Sequence, residues 1–113
     1  MALTVNPIVQ LRALTTLGLT LHLSVHPSQT IEASGAGYRA VPLTAWTVEG
    51  KRALHREIVF TFSGALGTVY GYYVTGPDGA VLLRDDIRTP EGDPPVIRVA
   101  GDEIAITPVL RVL

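Results

Sequence analysis

Two histidines and a serine form the densest group of residues capable of chemistry. His22, Ser24 and His26 occupy alternate positions, and alternate side chains of a strand share one face. His22 and His26 would then lie about 13 Å apart at ~3.3 Å per residue, too far to bind one metal ion within a chain. Around a symmetry axis they could form rings that bind metal or respond to pH. Ser24 lacks a Gly-x-Ser-x-Gly elbow, so we do not expect a serine nucleophile.

Unlike the pair Asp102-Glu103, which is interpreted as part of a turn, Asp85 and Asp86 are adjacent carboxylates at the end of a predicted strand. Neighbouring residues of a strand point to opposite faces, so these two cannot act as a catalytic pair there. We expect them to be solvated or to pair with Arg84 and Arg88. In a loop they could instead bind a cation together with Asp93 or Glu91.

Glycines and aromatic or basic residues give no stronger site. The glycine-rich segments 34–37 and 64–67 do not lead into a helix, so neither predicts a phosphate-binding loop. Tyr70 and Tyr72 alternate onto one strand face and Tyr73 onto the other. Core packing is the simpler interpretation of the first two, and stacking on a sugar or a base is the alternative. His55 lies in a basic stretch and is interpreted as a solvated residue.

Composition limits the classes of function. The 113 residues predict a single domain, 1–113. Nine Lys and Arg balance ten Asp and Glu without a basic cluster, so nucleic-acid binding is not expected. The absence of cysteine excludes disulfides, thiolate nucleophiles and zinc ribbons. No uncharged stretch is apolar enough to predict a membrane span. We therefore expect no cofactor, no metal and no enzymatic activity.

The elements that position these residues are predominantly strands. Asn6-Pro7 begins a predicted α-helix over residues 7–17, which Gly18 ends. Residues 19–26 alternate leucine or valine with polar residues and predict a half-buried strand. Further strands are predicted over 45–48, 54–62, 68–75, 80–84, 96–99 and 103–112, and the turn 76–79 joins two of them into a hairpin. One N-terminal helix and about seven strands predict a β-sandwich or small barrel.

Period-two alternation also predicts the core. One face of each strand should be buried, and the predicted core residues are Leu21, Leu23, Trp46, Phe60, Phe62, Tyr70, Tyr72, Val74, Leu82, Ile104 and Ile106.

The final strand is apolar on both faces, which is typical of a strand buried on both sides. A terminal strand is seldom covered twice within so small a monomer, so we expect self-association, with a trimer favoured. A position in the middle of a sheet is the alternative. The candidate interface residues are Leu3, Val5, Val109, Leu110, Val112 and Leu113.

One block of the chain resembles a known family. Residues 68–75 read Thr-Val-Tyr-Gly-Tyr-Tyr-Val-Thr, and Asp78-Gly79 and Leu82-Leu83 follow. The closing segment 101–110 carries a Gly-Asp pair and an Ile-Thr-Pro-Val-Leu run. In this order the pattern is similar to small structural proteins of tailed bacteriophages. The chain departs from that pattern at His26-Pro27 and at residues 84–86.

This resemblance implies a structural protein of the virion, made in the host cytoplasm, and not an enzyme. The first expectation is a capsid decoration (cement) protein that binds the phage major capsid protein and stabilises the head shell. A tail, neck or baseplate component is the alternative within the same particle. A carbohydrate- or receptor-binding module that uses Trp46, Tyr70 and Tyr73 is the alternative from another class.

Overall fold

The chain folds mainly into antiparallel strands. The computed structural model describes residues 13–111, of which 44% are in strands and 3% in helix, so the prediction of a mainly β fold is confirmed. In chain order the strands are β1 (Leu19–Ser24), β2 (Val41–Leu43), β3 (Trp46–Glu49), β4 (Arg52–His55), β5 (Ile58–Thr61), β6 (Gly67–Thr68), β7 (Gly71–Thr75), β8 (Val81–Asp86), β9 (Val96–Ile97), β10 (Glu103–Ile106) and β11 (Val109–Arg111).

The largest sheet has the strand order β2-β1-β7-β8, with every neighbouring pair antiparallel. In β1 the leucines at 19, 21 and 23 are buried and the residues between them are half-buried, as period-two alternation predicts. The hairpin between β7 and β8 closes through the Gly79 N–H, which donates to the Gly76 carbonyl. Gly79 has a φ of 84°, which glycine adopts without steric cost.

Three predicted strands are each broken into two, and one of them, 68–75, divides between β6 and β7. Residues 54–62 divide between β4 and β5, and residues 103–112 divide between β10 and β11. The two halves of 54–62 pair with the two halves of 103–112, as β5 with β10 and β4 with β11. The interruption falls at Pro108, which has no N–H to donate to a ladder, although its carbonyl accepts from the His55 N–H.

The core lies where these sheets meet. Buried side chains of the four-stranded sheet join those of β4, β5, β10 and β11 in one cluster, which includes Leu21, Val74, Ala53, Phe60, Ile104 and Leu110. Within residues 13–111 the sheets are separate and do not close into a barrel, so the arrangement is sandwich-like.

Four predictions about individual segments need correction. Strand β2 was not predicted. Leu82 is 45% exposed and does not belong to the core. Trp46 and Tyr70 are only half-buried. The final segment is not buried on both faces, because Ile104, Ile106, Pro108 and Leu110 are buried while Ala105 and Thr107 are exposed.

The predicted N-terminal helix lies mostly outside the described residues. Residues 13–15 are helical, and the Leu17 N–H donates to the Leu14 carbonyl. Bilayer-spanning helices are not found in the part of the chain that the structure describes.

Candidate functional site: a groove between two open strand edges

Two strands present an unpaired edge to the same groove. Within residues 13–111, β8 pairs only with β7 and β11 pairs only with β4, so each has one side without a strand partner. A groove of about 580 Å³ runs between them. Its lining comprises Leu14, Tyr72, Leu82, Leu83, Arg84, Asp85, Thr107, Val109, Leu110 and Arg111. An unpaired edge exposes backbone N–H and C=O groups that can pair with an added strand.

Half of the residues that line the groove are aliphatic, and three are charged. Leu14, Leu82, Leu83, Val109 and Leu110 supply the apolar surface. Arg84 and Asp85 of β8 face it together with Arg111 of β11. These three side chains carry a net charge of +1 beside the aliphatic surface.

Gly71 holds β8 unusually close to β7. A Cβ built at Gly71 would lie 2.5 Å from the Asp85 carbonyl oxygen and 3.2 Å from a terminal guanidinium nitrogen of Arg84. Real Cβ atoms do not approach backbone oxygen so closely, so this position requires glycine. An isolated glycine among bulky strand residues is typical of a bulge or of such a close approach.

Arg84 ties the groove wall to a distant turn. One terminal nitrogen donates to the His26 carbonyl at 2.8 Å, and the other donates to an Asp86 carboxylate oxygen at 2.9 Å. Asp86 also accepts from Arg88 at 3.4 Å. The pairing of Asp86 with two arginines was predicted, whereas Asp85 accepts from the Asp86 backbone N–H.

A bulge explains why β8 shows apolar side chains to solvent. Val74 pairs with Leu83, but Thr75 pairs with Val81, so Leu82 is an extra residue without a partner on β7. A bulge disrupts strict alternation and redirects side chains. Val81 and Leu82 are consequently 48% and 45% exposed, and Leu82 joins the groove instead of the core.

The candidate interface residues divide between the groove and the undescribed ends. Val109 and Leu110 both line the groove. Leu110 is 6% exposed and belongs to the core, so it offers a partner little surface, while Val109 is half-buried. Leu3, Val5, Val112 and Leu113 lie outside the described residues. The role of all six at an interface stays a prediction.

A second cluster of polar side chains lies on β1 and β7, the two central strands of the four-stranded sheet, and on the segment 31–33. His22 Nδ1 is 2.6 Å from a Glu32 carboxylate oxygen, and His22 Nε2 is 2.8 Å from the Thr75 hydroxyl. The imidazole also stacks on Tyr73, with ring centroids 4.7 Å apart. Glu32 reaches this position because the segment 31–33 runs beside β1, where the Ala33 N–H donates to the Leu23 carbonyl.

The ionisation of this cluster is set by its hydrogen bonds. Burial disfavours the charged form of Glu32, but hydrogen bonds from His22 and Tyr38 and attraction to His22 lower the pKa of its carboxyl overall. Burial is the largest cause that raises the pKa of Tyr38, and the neighbouring Glu32 carboxylate raises it further. The Tyr38 hydroxyl therefore stays a donor to Glu32, at 2.8 Å, while accepting from the Leu23 N–H.

Carboxylate, imidazole and hydroxyl stand here in the order of a hydrolase triad. In a triad, the carboxylate orients the imidazole so that it can take the hydroxyl proton. Thr75, however, lies on a strand whose five residues are all buried and is itself 9% exposed. A nucleophile needs room for a substrate carbonyl about 3 Å away. The geometry therefore supports a structural role, in which the cluster ties β1, β7 and the segment 31–33 together.

The chain matches no family model, no curated protein and no solved structure. The assignment of a role thus depends on the geometry described above and on the residue pattern of 68–75 and 101–110.

Within the chain, His26 and Ser24 help to build a turn, and the arrangement of His22 and His26 in rings around a symmetry axis stays a hypothesis. His26 Nδ1 accepts from the backbone N–H groups of Ser28 and Gln29, and the Ser24 hydroxyl donates to the Gln29 carbonyl at 2.6 Å. These residues build the turn that follows β1. Among residues 13–111, no three His, Asp or Glu side chains are grouped so that they could hold a metal ion.

The interpretation of His55 as a solvated residue is wrong. His55 is 7% exposed, its Nε2 accepts from the Ala45 N–H, and its Nδ1 lies 2.7 Å from the Arg56 carbonyl. Because a carbonyl only accepts, Nδ1 carries the proton. The ring also meets Trp46 edge-on at 5.0 Å, so His55 fixes the β3–β4 hairpin.

The tyrosines offer less surface to a ligand than the sequence suggested. Tyr72 and Tyr73 are 8% and 7% exposed. Burial of Tyr73 beneath His22 was not predicted, since its strand face was expected to be open. Glu32, Tyr38 and Thr75 were also missed, because their separations from His22, which reach 53 residues for Thr75, follow no known motif. Only the alternation of β1 indicated that His22 faces away from the core.

Proposed function

We propose that this chain is a structural protein of a bacteriophage particle, most specifically a decoration protein that binds the head shell. The observation that carries the proposal is the apolar groove flanked by the unpaired edges of β8 and β11. Such a site is suited to recognising an extended segment of a partner chain. The residue pattern of 68–75 and 101–110, which resembles small virion proteins of tailed phages, supplies the biological setting.

The requirements of a decoration protein agree with the described geometry. A shell-binding protein must stay rigid while it docks, and the core here joins all the larger sheets in one cluster. It must also present an attachment surface, and exposed apolar residues such as Val81 and Leu82 border the groove. We propose self-association on the shell, with a trimer as the favoured form.

Binding to heads tests this proposal directly. Purified protein is mixed with expanded empty heads of the phage whose genome encodes the chain, and bound protein is measured by co-sedimentation. A decoration protein saturates at a fixed number of copies per head and raises the melting temperature of the shell, because it binds only the folded form. A variant with Leu82→Lys should bind more weakly, and Val99→Lys should bind as the unmodified protein does, since Val99 is exposed outside the groove.

Two other outcomes point elsewhere. Binding to purified tails or baseplates, without binding to heads, would favour the tail, neck or baseplate alternative. Binding to neither would reject a structural role in the particle, and a glycan array would then test the carbohydrate-binding alternative.

A further inference from the structure

We propose that Arg84 is a positioning residue that couples the open edge of β8 to the turn at residues 26–30, so that the two regions open together and stay closed together. The inference goes beyond the proposed function and does not depend on it. It begins from a contact between distant parts of the chain, because the Arg84 guanidinium donates to the His26 carbonyl at 2.8 Å although the two residues are 58 positions apart.

The Arg84 side chain reaches the turn by crossing β7 at Gly71. In the sheet, β7 lies between β1 and β8, and Gly71 pairs with Ser24 on one side and with Asp86 on the other. A Cβ built at Gly71 would lie 3.2 Å from a terminal guanidinium nitrogen and 3.3 Å from the guanidinium carbon. The absence of a side chain at this position therefore leaves the path open, and one side chain connects two strands that are not neighbours.

The guanidinium is fixed at both ends. One terminal nitrogen binds the His26 carbonyl, and the other donates to the Asp86 carboxylate at 2.9 Å. The Arg84 side chain is only 19% exposed, and its buried Nε has no hydrogen-bond partner among residues 13–111. Its hydrogen bonds are thus confined to the two ends. Because an unpaired buried donor is costly and charged donors are the strongest, displacing β8 alone or the turn alone is unfavourable.

The turn itself depends on a small number of local hydrogen bonds. His26 Nδ1 accepts from the Ser28 N–H at 3.1 Å and from the Gln29 N–H at 2.9 Å. Both bonds are exposed to solvent, and bonds of this kind open readily by local unfolding. The contact from Arg84 fastens the His26 carbonyl to the sheet, so we expect it to limit this opening.

Amide hydrogen exchange measured by NMR tests the inference. At the end of β8, the Ile87 N–H donates to the Tyr70 carbonyl and reports on the edge, while the Ser28 and Gln29 amides report on the turn. Arg84→Gln should accelerate exchange at all three amides by about tenfold, the loss expected for one hydrogen bond to a charged group. Arg88→Gln is the matched control. It removes the same charge from a side chain that is 49% exposed and contacts the same Asp86 oxygen pair, and the three rates should not change.

Coupling between two regions must act in both directions, which gives a second test. His26→Ala removes the acceptor of the two turn amides and keeps the carbonyl that Arg84 binds. It should therefore accelerate exchange at Ile87 by about threefold, and this effect should disappear when Arg84→Gln is also present. Since His26→Ala leaves Arg84 unchanged, it decides the question even if Arg84→Gln folds poorly.

Arg84→Lys separates the charge from the geometry. Lysine keeps the positive charge, but its single ammonium lacks the planar fork that holds two acceptors in fixed directions. We therefore expect Arg84→Lys to accelerate exchange as Arg84→Gln does. Protection equal to that of the unmodified chain would mean that charge alone suffices, and the two-ended connection would be rejected.

The remaining outcomes also decide the inference. The Gly79 N–H, which donates to the Gly76 carbonyl at the far end of the β7–β8 hairpin, should keep its exchange rate in Arg84→Gln. Equal acceleration at Gly79 and in the turn would show a general loss of stability and overturn the coupling. Unchanged rates at Ser28, Gln29 and Ile87 would overturn it as well. An effect of His26→Ala on Ile87 that persists without Arg84 would assign the coupling to the backbone instead.

Discussion

The two edges of the four-stranded sheet differ in how open they are to pairing with a further strand. At one edge, β2 is only three residues long and contains Pro42, and the segment 31–33 continues the cover alongside β1. At the other edge, β8 is six residues long and has no strand on its outer side among residues 13–111. Short strands and prolines are the usual protection against strand addition. The chain covers one edge and leaves the other without a strand partner, and there the bulge at Leu82 is the main restraint on strand addition.

The polar cluster belongs to the protected edge. Glu32 and Tyr38 hold the covering segment against β1 through His22 and the Leu23 N–H. At the open edge, Arg84 is committed to His26 and Asp86, and the lining that remains is mostly aliphatic. Directional hydrogen bonds cover one edge. The other edge offers mainly aliphatic side chains and backbone groups that have no strand partner among residues 13–111.

The largest expected effect on stability comes from Phe60, a core residue that packs against Tyr38 at the protected edge. Phe60 is 6% exposed and stacks with Tyr38 at 6.0 Å. Phe60→Ala should lower the free energy of unfolding by about 3–5 kcal/mol through the cavity that it leaves. Val59→Ala on the same strand, where the side chain is 48% exposed, should change it by less than ~0.5 kcal/mol. Urea unfolding measures both, and similar losses would show that the core face of β5 is assigned wrongly.

A slightly smaller loss is expected where the open edge joins the sheet. Gly71→Ala places a methyl group 2.5 Å from the Asp85 carbonyl oxygen, so β8 must move and unfolding should become easier by about 1–3 kcal/mol. Gly18→Ala is the matched control, because its Cβ would meet no atom within 4 Å and its φ is not positive. Thermal unfolding followed by circular dichroism compares the two. Equal tolerance would mean that β7 and β8 are not held this closely.

The protected edge should also weaken in acid. The pKa of Glu32 is lowered in the folded chain, so the folded state binds fewer protons than the unfolded state near the ordinary carboxyl pKa. The resulting stability is present above the usual pKa of 4.5 and is lost as pH falls through the lower, folded value. Because the Glu32 side chain is 42% exposed, solvent screening limits the contribution to about 1 kcal/mol or less.

Glu32→Gln tests that dependence. The variant should lose this stability at pH 7 and show a flatter decline between pH 5 and pH 3 (about the range in which a lowered carboxyl pKa acts). Glu103→Gln, on the exposed face of β10, serves as the control and should keep the slope of the unmodified protein. An unchanged slope in Glu32→Gln would show that the cluster does not hold the edge.

The smallest effect on stability should come from the open edge itself. Leu82 is 45% exposed, so Leu82→Lys should change the free energy of unfolding by less than ~0.5 kcal/mol. The same change places a charge in the apolar groove and should weaken self-association, as measured by sedimentation equilibrium. Val99→Lys, at a position 60% exposed elsewhere, should alter neither quantity. If Leu82→Lys associates as well as Val99→Lys does, the groove is not the interface.

Local patterns predicted the parts of the fold that depend on local chemistry. The alternation of β1, the β7–β8 turn and the requirement for glycine at 71 all follow from residue types within a few positions. Strand β2 was missed because a three-residue strand containing Pro42 has almost no pattern to read. The division of the two long strands depends on pairs of residues that are 42 (Thr61 and Glu103) to 59 (Arg52 and Arg111) positions apart, and local sequence patterns do not show such pairs.

The candidate site was predictable only in part. The apolar C-terminal segment drew attention to Val109 and Leu110, which do line the groove. The opposite wall was assigned to the core, because period-two alternation placed Leu82 inward, and the bulge that turns it outward leaves no trace in residue type. Likewise, His55 was interpreted as solvated because its neighbours in sequence are basic. Its hydrogen bonds with Ala45 and Arg56 depend instead on the β3–β4 hairpin.

The bulge at Leu82 also limits the length of strand that can pair with the open edge of β8. From Leu83 to Asp86 the pairing with β7 is regular, and beyond Leu83 toward the hairpin it is offset by one residue. Because a bulge bends its strand and increases the local twist, a straight incoming strand can follow β8 only along the regular portion. We therefore expect this edge to select partners by length, admitting a segment of about four residues and excluding the long strand that would otherwise extend one molecule into a fibre.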